Sequence, residues 1–217
     1  MYLKRQNIEK FWPVPRKGTK YLAVSAHDKK VSIPLVVVMR DILKFVNNKK
    51  ELKKIIDEKK VLINNKAIKD IHYPVNIFDI ISLPSMNKHF KAILSHKKMI
   101  FEEVSEKNAE KMTFKVISKK KLKKNILQIN LSHGRNILTK EKVNVDDSVI
   151  FNSKKNTIEK IIKMEKGKKA YVIKGKHIGS SGKIENIFER GGKKLTKISL
   201  PDKKINVWIK NVIAMED

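Results

Sequence analysis

The sequence predicts an α+β fold assembled from several small modules, and three observations predict it. Helical periodicity is confined to residues 33–60. Short apolar runs broken by turn residues fill 61–168, the pattern of strands rather than helices. A glycine-punctuated strand pair then opens the segment 169–217. A chain of 217 residues holds two or three such modules more readily than one large domain.

The most ordered stretch is Ile33 to Leu83. Pro34 marks a helix start, because its fixed φ suits the first helical turn. From there Leu35, Val36, Val38, Met39, Ile42, Leu43, Phe45 and Val46 cover one arc of a helix. Arg40, Asp41 and Lys44 lie opposite, and Val37 is the misfit. A second helix is clearer. Leu52, Ile55, Ile56 and Lys59 share one side, while Lys50, Lys53, Lys54, Asp57 and Lys60 share the other. Asn64-Asn65 between two apolar runs predicts a two-residue hairpin, since Asn tolerates positive φ. Phe78 to Leu83 supplies a closing strand.

This order resembles the S-four RNA-binding domain, a helix–helix–hairpin module. The resemblance is carried by Arg40-Asp41-Ile42-Leu43, by Ile55-Ile56 with Val61-Leu62-Ile63-Asn64-Asn65-Lys66, and by Pro74-Val75 with Asp79 and Ile81. Asn65 stands where many members of that family have glycine, which keeps the turn chemistry. The resemblance implies RNA as ligand, with Asn64 and Lys66 at the hairpin among the contacts.

Charge points the same way. The formal net charge is +28, far beyond what solubility needs, and every segment is basic. Such a balance implies a polyanionic partner. Only five of the basic residues are arginine, so part of the lysine surplus reflects an AT-rich composition. The absence of cysteine excludes disulfides, thiolate catalysis and cysteine zinc sites, and suits an intracellular protein. The longest apolar run, Leu35 to Met39, is too short to span a membrane. The N-terminus has no apolar core of a secretory signal.

Residues 1–32 read as a basic extended arm. Lys4, Arg5, Arg16 and Lys17 are interleaved with Phe11, Trp12, Pro13 and Pro15, and the prolines favour extended backbone. Two readings stay open for Trp12: stacking on RNA bases, or packing on the body of the protein. Beyond residue 87, strands are expected at His89–Leu94, Lys98–Val104, Thr113–Ile117, Ile126–Asn130 and Val149–Asn152. Helical turns are expected after Ser105, and a turn at Ser132 to Asn136. Spacing of this kind suggests a small barrel. The run Lys119-Lys120-Lys121-Leu122-Lys123-Lys124 is expected to be a loop, with Lys120, Lys121 and Lys123 as unselective phosphate contacts. Val75 to Ile81 and Val143 to Val149 echo each other, and the echo reads as recurring turn chemistry rather than duplication.

Near the C-terminus a strand enters at Ala170, glycines follow at 175, 179 and 182, and a strand leaves at Lys183-Ile184. Leu195 to Leu200 and Lys204 to Ile213 are expected to close the fold. The spacing is not that of a nucleotide-binding phosphate loop. It resembles the KOW motif, which implies an SH3-like barrel.

Taken in order, the arm, S-four module, strand-rich middle and KOW segment resemble the S-four-e family of the archaeal and eukaryotic small ribosomal subunit. The further matches are Leu3-Lys4-Arg5, Trp12-Pro13, Ile33-Pro34-Leu35, Asp79-Ile80-Ile81-Ser82, His133-Gly134-Arg135, Val143-Asn144 and Gly175-Lys176-His177 with Gly179 and Gly182. Ser180 and His177 depart from the residues many members carry, and the turn at His133 is one residue shorter.

The resemblance implies a ribosomal protein without catalytic activity that binds small-subunit ribosomal RNA beside neighbouring ribosomal proteins, on the ribosome in the cytoplasm. It implies no cofactor, no metal, no membrane and no small-molecule substrate. It divides the chain into an arm (1–32), an S-four-type domain (33–86), a central β-rich domain (87–168) and a KOW SH3-like barrel (169–217). It adds His133, Arg135, Gly175, Lys176, His177, Gly179 and Lys183 to the RNA contacts. Geometry adds the joint helix face of Arg40, Lys44, Lys50, Lys53 and Lys54.

Two alternatives stay open. One is an RNA-modifying enzyme, although the histidines at 27, 72, 89, 96, 133 and 177 show no paired ligand spacing, and Asp146-Asp147 point apart on an extended chain. The other is a KOW-type transcription or translation factor that binds transiently.

Overall fold

A computed structural model describes residues 2–122, 126–201 and 203–216. The chain divides into two compact units, Met1–Met112 and Thr113–Asp217.

In the first unit the expected extended arm is instead folded back on itself. Strand β1 (Tyr2–Lys4) pairs antiparallel with β2 (Tyr21–Ala23), Leu3 opposite Leu22. The loop between them turns its rings inward, so Phe11 and Trp12 are buried, Trp12 to 2% exposure. Lys98 Nζ donates to the Trp12 carbonyl at 2.8 Å, and the Met99 N–H donates to the Phe11 carbonyl at 2.8 Å. Of the two readings of Trp12, packing holds, because burial of two large rings stabilises the folded loop more than the prolines favour an open arm.

Strand β3 (Ile33–Pro34) pairs with β6 (Pro74–Val75) and leads into helix α1 (Leu35–Val37). That helix widens into a π turn over Val38–Ile42, where the Leu43 N–H donates to the Val38 carbonyl at 2.8 Å. It stops there rather than reaching Phe45, and Lys44 takes a left-handed conformation, φ 57°. Leu35 to Met39 are buried on every side, Val37 included, so no exposed face sets Val37 apart. Helix α2 (Lys49–Asp57) follows expectation, with Leu52 and Ile56 buried and Lys50, Lys53 and Lys54 exposed. At its start the Glu51 carboxylate accepts from the Asn47 and Asn48 N–H groups at 2.8 and 3.4 Å.

Strands β4 (Leu62–Ile63) and β5 (Lys66–Ala67) form the expected hairpin, with Asn64 and Asn65 at φ 53° and 61°. Strands β7 (Ile80–Leu83), β8 (Lys88–Ser95) and β9 (Lys98–Glu103) extend it into an antiparallel sheet of order β5-β4-β7-β8-β9. The sheet thus continues past residue 86 without a break. A helical turn, α3 (Glu106–Ala109), follows Ser105.

The second unit holds two five-stranded sheets. Strands β10 (Lys111–Lys121), β11 (Leu127–Leu131), β12 (Asn136–Thr139), β13 (Ser148–Asn152) and β14 (Thr157–Ile162) make one, ordered β12-β11-β10-β13-β14. Here the expected lysine loop is a strand. Lys119, Lys120 and Lys121 pair with Ile129, Gln128 and Leu127, while Lys123 and Lys124 lie outside the described residues. Ladder hydrogen bonds to β11 outweigh the poor strand propensity of lysine, whose side chains stay solvated.

The other sheet comprises β15 (Lys169–Val172), β16 (Ser181–Arg190), β17 (Lys193–Ser199), β18 (Lys204–Trp208) and β19 (Val212–Met215), ordered β18-β17-β16-β15-β19. The last expected strand is divided by a 3-10 turn at Ile209–Asn211, which sends β19 to the far edge. Gly182 is required by close approach, since a Cβ there would lie 2.1 Å from the Ser199 carbonyl oxygen. Ala170, Val172, Ile184, Ile198 and Ala214 form a core that also takes in Ile162 and Met164. Among the described residues, no helix is long and apolar enough to cross a membrane.

Candidate nucleic-acid interface

The hairpin β1–β2 and the end of the first helix enclose a groove of about 810 Å³ in the first unit. Its walls carry Lys17, Arg40, Lys44 and Lys49 together with Tyr2 and Tyr21. Both tyrosines are exposed, at 68% and 50%, and Lys20 Nζ lies over the Tyr21 ring, 5.5 Å from its centroid. A second groove of about 830 Å³ is walled by Lys4, Lys10, Arg16, Lys20 and Lys98. The two share Arg5, Val14, Gly18 and Thr19 in their walls. Lysines at the rim with rings between them can hold phosphates and stack bases.

Arg5 organises this region from within. Its Nε donates to the Thr19 carbonyl at 2.7 Å, its Nη1 to the Pro15 carbonyl at 2.6 Å, and its Nη2 to Thr19 Oγ1 at 3.0 Å. Three of its donors therefore fix the loop that carries Arg16 and Lys17. Arg40 is held against Asp41 by two bonds of 2.8 Å, Nε to Oδ1 and Nη2 to Oδ2. The Asp41 hydrogen bond raises its pKa, so the guanidinium stays charged while half its fork is in use.

The structure brings Lys17, Arg40 and Lys44 together, as it does Lys4 and Arg16. Lys50, Lys53 and Lys54 stay solvent-exposed on α2 but do not line either groove. Asn64 turns inward. It is buried, its Nδ2 donates to Asp79 Oδ1 at 2.8 Å, and its Oδ1 accepts from the Ile80 N–H at 2.9 Å. Its role in the fold is to lock the hairpin onto β7. Lys66 is exposed beside it.

In the second unit Lys120 and Lys121 alternate across β10, so they face opposite ways. Lys119 Nζ donates to the Val143 carbonyl at 3.0 Å. Arg135 lies over two rings, 5.3 Å from the centroid of Phe114 and 5.7 Å from that of Phe151. His133 sits beside it in a left-handed turn, φ 63°. Gly175 and Gly179 have φ of 101° and 82°, and their turn exposes Lys176, with His177 half-buried. Lys183 is exposed on β16.

Several residues escape sequence reasoning. Tyr2 and Tyr21 share a groove only through a pairing that spans the whole loop. Lys115 is buried, with its Nζ 3.0 Å from Asp146 Oδ1 and 2.7 Å from the Val212 carbonyl, and it also donates to the Ile209 carbonyl. Strand alternation puts it on the face opposite Met112, Phe114 and Val116, so nothing in the sequence marks its burial. Among the described residues, no cluster of three or more His, Cys, Asp or Glu side chains can hold a metal ion.

Comparison with known proteins gives the family. The S4 domain profile matches residues 33–81, and that of ribosomal family S4e matches 86–158. The small ribosomal subunit protein eS4 of Methanosphaera stadtmanae is 34% identical over 190 residues, covering 86% of this chain and 79% of its own. This chain belongs to ribosomal family S4e. The eS4 protein of Nanoarchaeum equitans is 26% identical over 223 residues, covering 100% of this chain and 95% of its own. The crystal structure of the S4e protein from Thermoplasma acidophilum shares the fold, with a TM-score of 0.72 at 23% identity, covering 85% of this chain and 94% of that one.

Proposed function

We propose that this chain is a structural constituent of the small ribosomal subunit, where it binds ribosomal RNA, meets neighbouring ribosomal proteins and supports translation and subunit assembly. The observation that carries the reading is the match to small-subunit proteins over 86% of the chain. The site supports it: a net charge of +28 and a rigid basic groove with exposed tyrosines suit RNA. The protein works in the cytoplasm, on the ribosome, and is not an enzyme.

In this reading the groove of Lys17, Arg40, Lys44 and Lys49 holds the phosphates of folded RNA, and the helix face at Lys50, Lys53 and Lys54 widens the contact. The S4-type domain begins at 33 and its sheet runs on through β9, so the boundary expected at 86 moves beyond Glu103; the central β-rich domain follows, up to 168, and the last sheet takes 169–217. That last sheet is a KOW-type SH3-like barrel, whose glycine turn at 175–182 offers Lys176 and His177. His133, Arg135, Lys120 and Lys121 add contacts from the middle of the chain.

Sedimentation of tagged protein from growing cells tests the reading. The chain should travel with small subunits through high-salt washes and crosslink to small-subunit RNA. Recovery at the top of the gradient, free of RNA, would overturn it and favour a transient factor.

A further inference from the structure

The outward face of β16, β17 and β18 has no role in that reading. Register places Trp208 opposite Leu195, and Leu195 opposite Phe188. Residues directly opposite in antiparallel strands point to the same side. Ile205, Val207, Thr196, Ile198 and Ile184 fill the other side and are buried, so the row Phe188–Leu195–Trp208 points outward. Phe188 and Leu195 are half-buried, and Trp208 is 47% exposed, an unusual position for the largest apolar side chain.

The row is bordered by cations on both sides. Arg190 and Lys193 face each other across the strand pair one step beyond, and Lys193 Nζ lies over the Trp208 ring, 4.4 Å from its centroid, so a base that stacks there displaces the ammonium toward its own phosphate. Two steps to the other side, Lys183 and Lys204 each lie opposite Ser199. Lys197 lies between them and the row. Among the described residues, the carboxylate on this face is Glu185, at a bulge, 2.7 Å from Lys204 Nζ and 3.6 Å from Lys197 Nζ. Its pKa is lowered, chiefly by the hydrogen bond from Lys204, so it stays ionised and offsets part of the charge on that flank alone. Arg190, Lys193 and Lys183 keep theirs.

We infer that this face is a stacking platform for unpaired nucleotides of RNA, with Trp208 as the ring on which a base lies and the two cationic flanks as seats for the adjoining phosphates. The inference rests on the reading that the chain is an RNA-binding ribosomal protein. Charge complementarity selects the occupant. An apolar row alone fits a protein neighbour equally well, but a row bordered by cations on both sides suits a stacked strand whose backbone is anionic. Duplex RNA is excluded, because its bases are already stacked within the helix and offer no free π-face.

The full chain is titrated with a labelled oligoadenylate of about 12 nucleotides, within the usual range of site sizes, and with a duplex of equal length. Anisotropy reports binding, and indole emission reports stacking. Trp12 is buried, so quenching reports Trp208. The single strand should quench the emission and the duplex should not. Trp208→Ala should weaken single-strand binding about 5- to 150-fold, the range for one stacked base, with duplex binding unchanged. Trp208→Phe should keep most of the affinity and decides the matter should the alanine variant unfold.

Saturation by the single strand without quenching, or an equal loss for both RNAs in Trp208→Ala, overturns the platform. So does a Trp208→Ala protein with full RNA affinity that fails to enter subunits, for then a protein covers the face. In those cases duplex and ribosomal RNA binding persist, and the ribosomal reading stands. A wild-type chain that binds no RNA of any kind removes that reading itself.

Discussion

The Asn76 N–H donates to Asp79 Oδ2 at 2.8 Å, and the same bond recurs in the second unit between Asn144 and Asp147 at 2.9 Å. The residue before each aspartate has positive φ, Phe78 at 66° and Asp146 at 75°. Each turn is then pinned to the strand alongside by a reciprocal pair. Phe78 and Asp79 bond Ala92 in one, and Asp146 and Asp147 bond Val116 in the other. A bulky Phe at positive φ is strained, and it persists only where its surroundings fix it. The aspartate does this in both turns, because each also ties a second segment. Asp79 Oδ1 accepts from Asn64 Nδ2 at 2.8 Å, and Asp147 Oδ1 accepts from the Met164 N–H at 3.0 Å.

Asp79→Ala and Asp147→Ala each leave two donors unpaired in buried surroundings. Each should destabilise its unit by about 2–6 kcal/mol, at about 1–3 kcal/mol per stranded group. Glu141→Ala, at an exposed position, should stay within about 0.5 kcal/mol. Urea unfolding checks this; aspartate variants as stable as Glu141→Ala would show that the turns hold without their carboxylates.

Among the described residues, Lys115 is the buried cation of the second unit. Lys115→Met leaves Asp146 and two carbonyls without their donor, and should cost about 3–5 kcal/mol. Burial lowers the Lys115 pKa more than Asp146 raises it. The folded value thus lies below the ordinary 10.5, and between the two the unfolded chain binds more protons. Stability should therefore rise with pH across that window, through this group, and the slope should vanish in Lys115→Met. A slope that survives the substitution assigns it to another group.

Glu51 gives the same sign in the acid range. Its pKa is lowered, first by the hydrogen bond from the Asn47 N–H and further by Asn48. A depressed carboxylate contributes stability that is complete above its unfolded pKa and lost as pH falls through the folded value. Carboxyl-detected NMR should find Glu51 titrating below an ordinary glutamate, with the α2 amide signals following it. Titration at the ordinary value would mean that the cap is open in solution.

Legibility in the sequence follows the range of the interactions. Helix α2 and the Asn64–Asn65 hairpin are readable because periodicity and turn chemistry are local. The recurring turn is readable for the same reason, as one short pattern met twice. The N-terminal hairpin is not, since β1 and β2 join residues 2–4 to 21–23 and Arg5 reaches carbonyls at 15 and 19. The lysine run hides a strand because strand identity there comes from β11, not from its own residues. Within the candidate site, Lys17, Arg40 and Lys44 are visible as charge. Tyr2 and Tyr21 are not, because only the folded loop sets them beside those cations. Asn64 reads as an RNA contact until the fold shows it buried, because sequence does not reveal which way a turn asparagine points.

The contrast between groove and strand yields the sharpest measurement. Lys17 and Lys44 line one groove, so a single RNA segment can contact both. Lys120 and Lys121 lie on opposite faces of β10, so one segment can contact only one of them. For every phosphate that a cation no longer meets, the plot of log affinity against log salt should become shallower by about 0.7 for single-stranded RNA. The Lys17→Glu, Lys44→Glu double should therefore flatten the slope by about twice as much as the Lys120→Glu, Lys121→Glu double. It should also erase the preference for small-subunit RNA over unrelated RNA, because a rigid cluster selects shape as well as charge. The strand double should weaken binding to both RNAs alike. Equal slopes and equal selectivity in two folded doubles would reduce the groove to solvated charge and move the specific contact elsewhere on the chain.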